Sequence, residues 1–103
     1  MAAPRMNVHE KTNSPCAILL DSMLENSSLS LRETALRIGI RPNSANTLLT
    51  QARAGRTKVS EAWIAPLCDL LQEDPTPFIH TFLKEYHQPL WALMVECGMI
   101  EDI

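Results

Sequence analysis

Leu31 to Arg53, LRETALRIGIRPNSANTLLTQAR, constrains this chain more than any other stretch. Ser30 precedes Leu31, Arg32 and Glu33 in the S-x-x-E pattern of a capping box, in which the serine hydroxyl accepts from the Glu33 amide and the carboxylate reaches back to the Ser30 amide. Leu31, Ala35 and Ile38 then share one face of a helix at i, i+4, i+7. Gly39 stands where a left-handed residue ends such a helix, and Ile40 can fold back onto its apolar face. Pro42 suits the first turn of a second helix, where an amide hydrogen would have no helical partner. The pattern therefore predicts two short helices joined by a tight turn, the second running from about Pro42 to about Arg53.

At about 100° per residue, Ala45, Leu48, Leu49 and Ala52 of the second helix share one arc and should be buried. Asn43, Asn46, Thr47 and Thr50 share the opposite arc, with Ser44, Gln51 and Arg53 on its flanks. A merely solvated face would normally carry more Lys and Glu. Short uncharged amides and hydroxyls instead suit the edges of DNA bases: Asn pairs with adenine, Ser and Thr with several groups, and the Thr methyl with thymine. Asn43, Ser44, Asn46, Thr47 and Thr50 are the candidate base-reading set.

These residues resemble the helix-turn-helix of the Cro/phage-repressor (XRE-like) family. Ala35 stands at that motif's small position, Gly39 at its turn, and Ile38, Ile40 and Leu48 at its apolar positions. The resemblance continues through the basic loop Ala54-Gly55-Arg56-Thr57-Lys58 and through Trp63, Leu67, Leu70 and Leu71, ending near Asp74-Pro75-Thr76-Pro77-Phe78. Leu31 stands where the family often has Gln, Ala45 where it has Val or Ile, and Pro66 interrupts the following helix. The resemblance implies a lambda-repressor-like DNA-binding domain and a regulator of transcription, with repression as the family's usual role.

Charge follows the same division. The chain carries a net charge of −3, which by itself argues against nucleic acid. Residues 32–58, however, hold six cations against Glu33 alone, a local +5, whereas residues 61–103 hold Lys84 against eight carboxylates. The positive field is concentrated where phosphate contact would require it. Arg41, Gln51, Arg53, Arg56 and Lys58 are the candidate phosphate contacts, which fix register without reading sequence.

Outside this unit, residues 1–13 show no period and are expected to form a disordered leader. Ser14-Pro15 reads as a cap and first helical residue, followed by a helix to about Glu25 with Ile18, Leu19, Leu20, Met23 and Leu24 on its apolar side. Ser60 should cap a fourth helix bearing Trp63, Ile64, Leu67, Leu70 and Leu71, with Pro66 kinking it or shifting its start. Phe78, Ile79, Phe82, Leu83 and Tyr86 mark a fifth helix, and Pro89 to Cys97 a sixth, stopped by Gly98. The sixth is apolar on too many sides for a free surface helix. It either closes the monomer core or forms a dimer seam, and the seam is favoured, with Phe82, Tyr86, Leu90, Trp91, Leu93 and Met94 in the interface.

The expected fold is thus all-α: a compact bundle of five to six short helices around a central helix-turn-helix. The DNA-binding domain spans 14–77 and a C-terminal helical dimerisation extension 78–103. No catalytic constellation stands out. Cys16, Cys68 and Cys97 lack metal-ligand spacing and are expected to be buried thiols. His80, His87 and Cys97 do not form a paired ligand set. Asp21, Glu25 and Glu33 read as solvated carboxylates. No cofactor, small-molecule substrate, metal or membrane span is expected, and a cytoplasmic, DNA-associated location is the default. Double-stranded DNA bound by a homodimer is the first reading of function. The alternative is a protein-interaction module that uses its apolar, acidic C-terminal half.

Overall fold

The computed structural model describes residues 13–100, so the leader expected over 1–13 lies outside the described residues except for Asn13. The described chain is an all-α bundle of six helices: α1 (Pro15–Glu25), α2 (Leu31–Arg37), α3 (Thr47–Arg53), α4 (Ile64–Leu71), α5 (Thr76–Tyr86) and α6 (Gln88–Glu96). Short 3-10 turns at Pro42–Ser44 and Glu61–Trp63 lead into α3 and α4.

Local rules explain most helix ends. The Ser14 hydroxyl accepts from the Ala17 amide at 3.1 Å, and Pro15 occupies the first turn of α1. The Ser30 hydroxyl accepts from the Glu33 amide at 3.0 Å, but only this half of the capping box forms. The Glu33 carboxylate instead accepts from Arg37 Nε at 2.9 Å, one turn along the exposed face. At the exit of α2, Gly39 adopts φ +95°, its amide donates to Leu36, and the Ile40 amide donates to Ala35. This is a Schellman motif, and it turns Ile40 back into the core as expected. Gln72 closes α4 in the same way at φ 55°, an uncommon position for a residue with a Cβ.

The core gathers Cys16, Leu20 and Leu24 from α1, Ala35 from α2, Ile38 and Ile40 from the turn, and Ala45, Leu49 and Ala52 from the segment ending in α3. Val59, Ile64, Leu67, Cys68, Phe78 and Phe82 complete it. α1 packs against both α3 and α5, α2 packs against α4, and α6 packs on α5. The core therefore runs across the division expected between residues 77 and 78: α5 is an integral layer of the bundle.

Several side chains depart from expectation. Ile18 is exposed, whereas Cys16 and Ala17 are buried, because the face of α1 must serve α3 and α5 together. Leu48 is exposed, so the buried arc of α3 is narrower than its apolar residues suggest. Pro66 falls in the first turn of α4, where its missing amide hydrogen costs no helical bond, and a 3-10 turn precedes that helix. Cys16 and Cys68 are buried, but Cys97 is exposed at the end of α6.

The proposed seam residues divide. Phe82 is buried in the core, and Trp91 is buried beneath α5 contacts, its ring meeting the His80 ring edge-on at 5.4 Å and lying under Lys84. Tyr86 is engaged within the monomer: its hydroxyl accepts from the Val59 amide at 3.1 Å, and its ring meets Phe82 edge-on. These three cannot be free seam residues. Leu90 and Leu93, 47% and 53% exposed, and the half-buried Met94 retain outward surface. No helix among the described residues is long and apolar enough to cross a membrane.

Candidate nucleic-acid interface

The segment from Arg41 to Lys58 gathers the candidate DNA-contacting residues. Its start differs from the single helix expected over 42–53. Pro42–Ser44 is a 3-10 turn, and regular α-helix begins only at Thr47. The cause is local. The Pro42 carbonyl accepts from the Ala45 amide at 3.3 Å and from Arg32 Nη1 at 3.3 Å, so this first turn closes on the third residue rather than the fourth. Asn43 and Ser44, whose side chains compete with helical bonds, suit such a turn.

Asn43, Asn46, Thr47 and Thr50 are exposed, and Ser44 is half-buried at the edge of the set. None of the five makes a side-chain hydrogen bond among the described residues, and the four exposed ones turn their donors and acceptors to solvent. Ala45, Leu49 and Ala52 are almost fully buried beneath them and hold the segment to the core. The exposed Leu48 adds an apolar element beside the polar arc that sequence reasoning assigned to the core.

The expected phosphate contacts are brought together only in part. Arg41, Arg56 and Lys58 are exposed, and Gln51 is half-buried. Lys58 Nζ lies 5.4 Å from the centre of the Tyr86 ring, an arrangement that orients the ammonium while leaving it accessible. Arg53 is a correction. Its guanidinium turns inward onto α1: Nε lies 2.6 Å from Asp21 Oδ1 and Nη2 lies 2.6 Å from Glu25 Oε1. Asp21, expected to be solvated, is buried in this ion pair, and Glu25 is its more exposed second carboxylate.

Arg37 is likewise paired with Glu33 on the exposed face of α2. Pairing with Asp21, Glu25 and Glu33 reduces the free positive field relative to the sequence count, leaving Arg32, Arg41, Arg56 and Lys58 as the exposed cations of residues 32–58 outside these ion pairs.

The basic loop is supported by a helix distant in sequence. Tyr86, near the end of α5, holds the Val59 amide, and the neighbouring Glu85 carboxylate accepts from the Cys16 amide at 2.8 Å in the first turn of α1. Burial, then the Glu85 charge and hydrogen bond, push the Cys16 thiol up to about 12; this is a packing cysteine rather than a nucleophile. Burial also raises the Tyr86 phenol. Neither connection had a local signal in sequence, because each joins residues far apart in the chain.

A concave region lies between α4, α5 and the start of α6. Ile64, Ala65, Ile79, Phe82, Leu83 and Leu90 line a mainly apolar groove of ≈ 410 Å³, with Glu61 and His87 at its polar positions. Among the described residues no three His, Cys, Asp or Glu side chains are grouped so as to hold a metal ion. No family model matches this chain, and no curated protein or solved structure matches it either.

Proposed function

We propose that the chain is a sequence-specific DNA-binding regulator of transcription, resembling the Cro/phage-repressor type, that binds an inverted repeat as a homodimer. The observation that carries this reading is the set of exposed, uncharged Asn43, Asn46, Thr47 and Thr50 side chains on one segment. Exposed Arg41 flanks that segment, and Arg56 and Lys58 follow it. Amides and hydroxyls of this length match the donor and acceptor pattern of the major groove. The flanking cations suit phosphates on either side.

A second reading is a protein-interaction module. It is favoured by the apolar groove beside α5 and by the exposed Leu48, which places a hydrophobic contact next to the polar arc. Selection of genomic fragments by the purified chain at two salt concentrations separates the readings. The regulator reading expects enrichment of an inverted repeat with half-sites roughly ten base pairs apart, bound more weakly at high salt. No enrichment at either salt overturns it and favours the interaction module. On a recovered site, Asn46→Ala should lose about 1–3 kcal/mol of discrimination at one base position.

A further inference from the structure

We infer that Arg53 is a positioning residue for base reading, setting the rotation of α3 against α1 rather than contacting phosphate; this rests on the DNA-reading function proposed above. At about 100° per residue, Arg53 lies roughly 20° around the helix from Asn46 and about 60° from Thr50. It belongs to the border of the reading arc, yet its charge is directed into the protein.

The geometry constrains rotation as well as distance. Asp21 and Glu25 are one turn apart on α1 and engage Nε and Nη2 of one planar guanidinium at 2.6 Å each. The Asp21 side chain is 9% exposed and the Arg53 side chain 20%, so the pair is largely shielded from competing ions. Turning α3 by about 20° about its axis would move a side chain at the rim of a helix about 10–12 Å across by roughly 2 Å. Hydrogen bonds to a base edge do not survive such a shift. A lysine would keep the charge but could not bridge both carboxylates with a rigid fork.

The test uses the full chain on an operator recovered by fragment selection, on that operator with single base-pair changes in each half-site, and on unrelated DNA. Arg53→Lys should reduce discrimination between the operator and its single-change versions by about tenfold. It should leave the slope of log affinity against log salt unchanged. Arg56→Ala should do the reverse: discrimination persists and the slope falls by about one. Glu25→Gln alters only the more exposed carboxylate and should produce a smaller loss of discrimination. Because both DNAs carry the same charge, the general repulsion from Glu25 cancels in that ratio.

Unchanged discrimination in Arg53→Lys and Glu25→Gln overturns the positioning role while the regulator reading stands. A salt slope that falls in Arg53→Met as it does in Arg56→Ala also overturns it and makes Arg53 a phosphate contact. If Arg53→Lys does not fold, Glu25→Gln alone decides. No preferred sequence for the unaltered chain overturns the regulator reading and the inferred role together.

Discussion

α5 and α6 follow one another through a single residue, yet they belong to the molecule in different ways. α5 buries Phe78 and Phe82 in the common core, supplies Glu85 to the first turn of α1 and ties Val59 through Tyr86. α6 buries Trp91 against α5 but turns Leu90 and Leu93 outward. Apolar content does not predict this, since α6 is the more apolar of the two. What does is how many other elements each helix reaches: α5 contacts α1, the basic loop and α6, whereas the closest packing of α6 is on α5. A hydrophobic helix at the end of a chain can therefore be a structural layer or an attached surface, and only its long-range partners decide which.

Substitutions can break this contrast. Phe82→Ala should cost about 3–5 kcal/mol, because it opens a cavity beneath α1 and removes the ring that packs against Tyr86. Urea unfolding measures that loss. Leu93→Asp should shift the monomer's stability by no more than about 0.5 kcal/mol, while sedimentation should show a dimeric chain becoming monomeric if α6 forms the seam. Comparable destabilisation by both substitutions would erase the distinction between the helices. A Leu93→Asp chain that remains dimeric would place the seam elsewhere.

Tyr86→Phe is a smaller perturbation that keeps the ring and removes the acceptor for the buried Val59 amide. It should cost about 1–2 kcal/mol and increase hydrogen exchange at Val59 more than at Trp91. Equal changes at both amides would mean that α5 and α6 loosen together.

The smallest effect near neutral pH is alkaline. Cys16 and Tyr86 at the α1–α5 contact, and Cys68 in α4, all have raised folded-state pKa values. Their neutral forms are favoured by folding, so this contribution is fully present below the unfolded pKa values. It is lost as pH rises from about 9, the ordinary thiol value, towards the folded value of about 12 for Cys16. Cys16→Ala should flatten the fall in unfolding free energy above pH 9. A Cys16→Ala chain whose stability falls as steeply above pH 9 as that of the unaltered chain would remove the α1–α5 contact as its cause.

The parts legible in sequence were those governed by neighbours in the chain. Ser14 and Ser30 announced helix starts, Gly39 announced the end of α2, and Asn43, Asn46, Thr47 and Thr50 announced an exposed polar arc. Arg53 reads as a phosphate contact from its charge and position, while its direction depends on Asp21 and Glu25, about thirty positions earlier. Tyr86 and Phe82 read as interface residues for the same reason. An apolar helical face records that it needs cover but not whether another part of the same chain or a second copy supplies it.

The bond from the Val59 amide to Tyr86 has a practical consequence for moving this unit into other proteins. A transplant ending at residue 75 would include every residue assigned to DNA contact but omit the tyrosine that fastens the loop carrying Arg56 and Lys58. It would also leave the first turn of α1 without Glu85 and uncover the faces packed against Phe78 and Phe82. The smallest portable cassette therefore extends through Tyr86, and a fusion joint belongs beyond α5, where it can replace α6 without cutting the support of the basic loop.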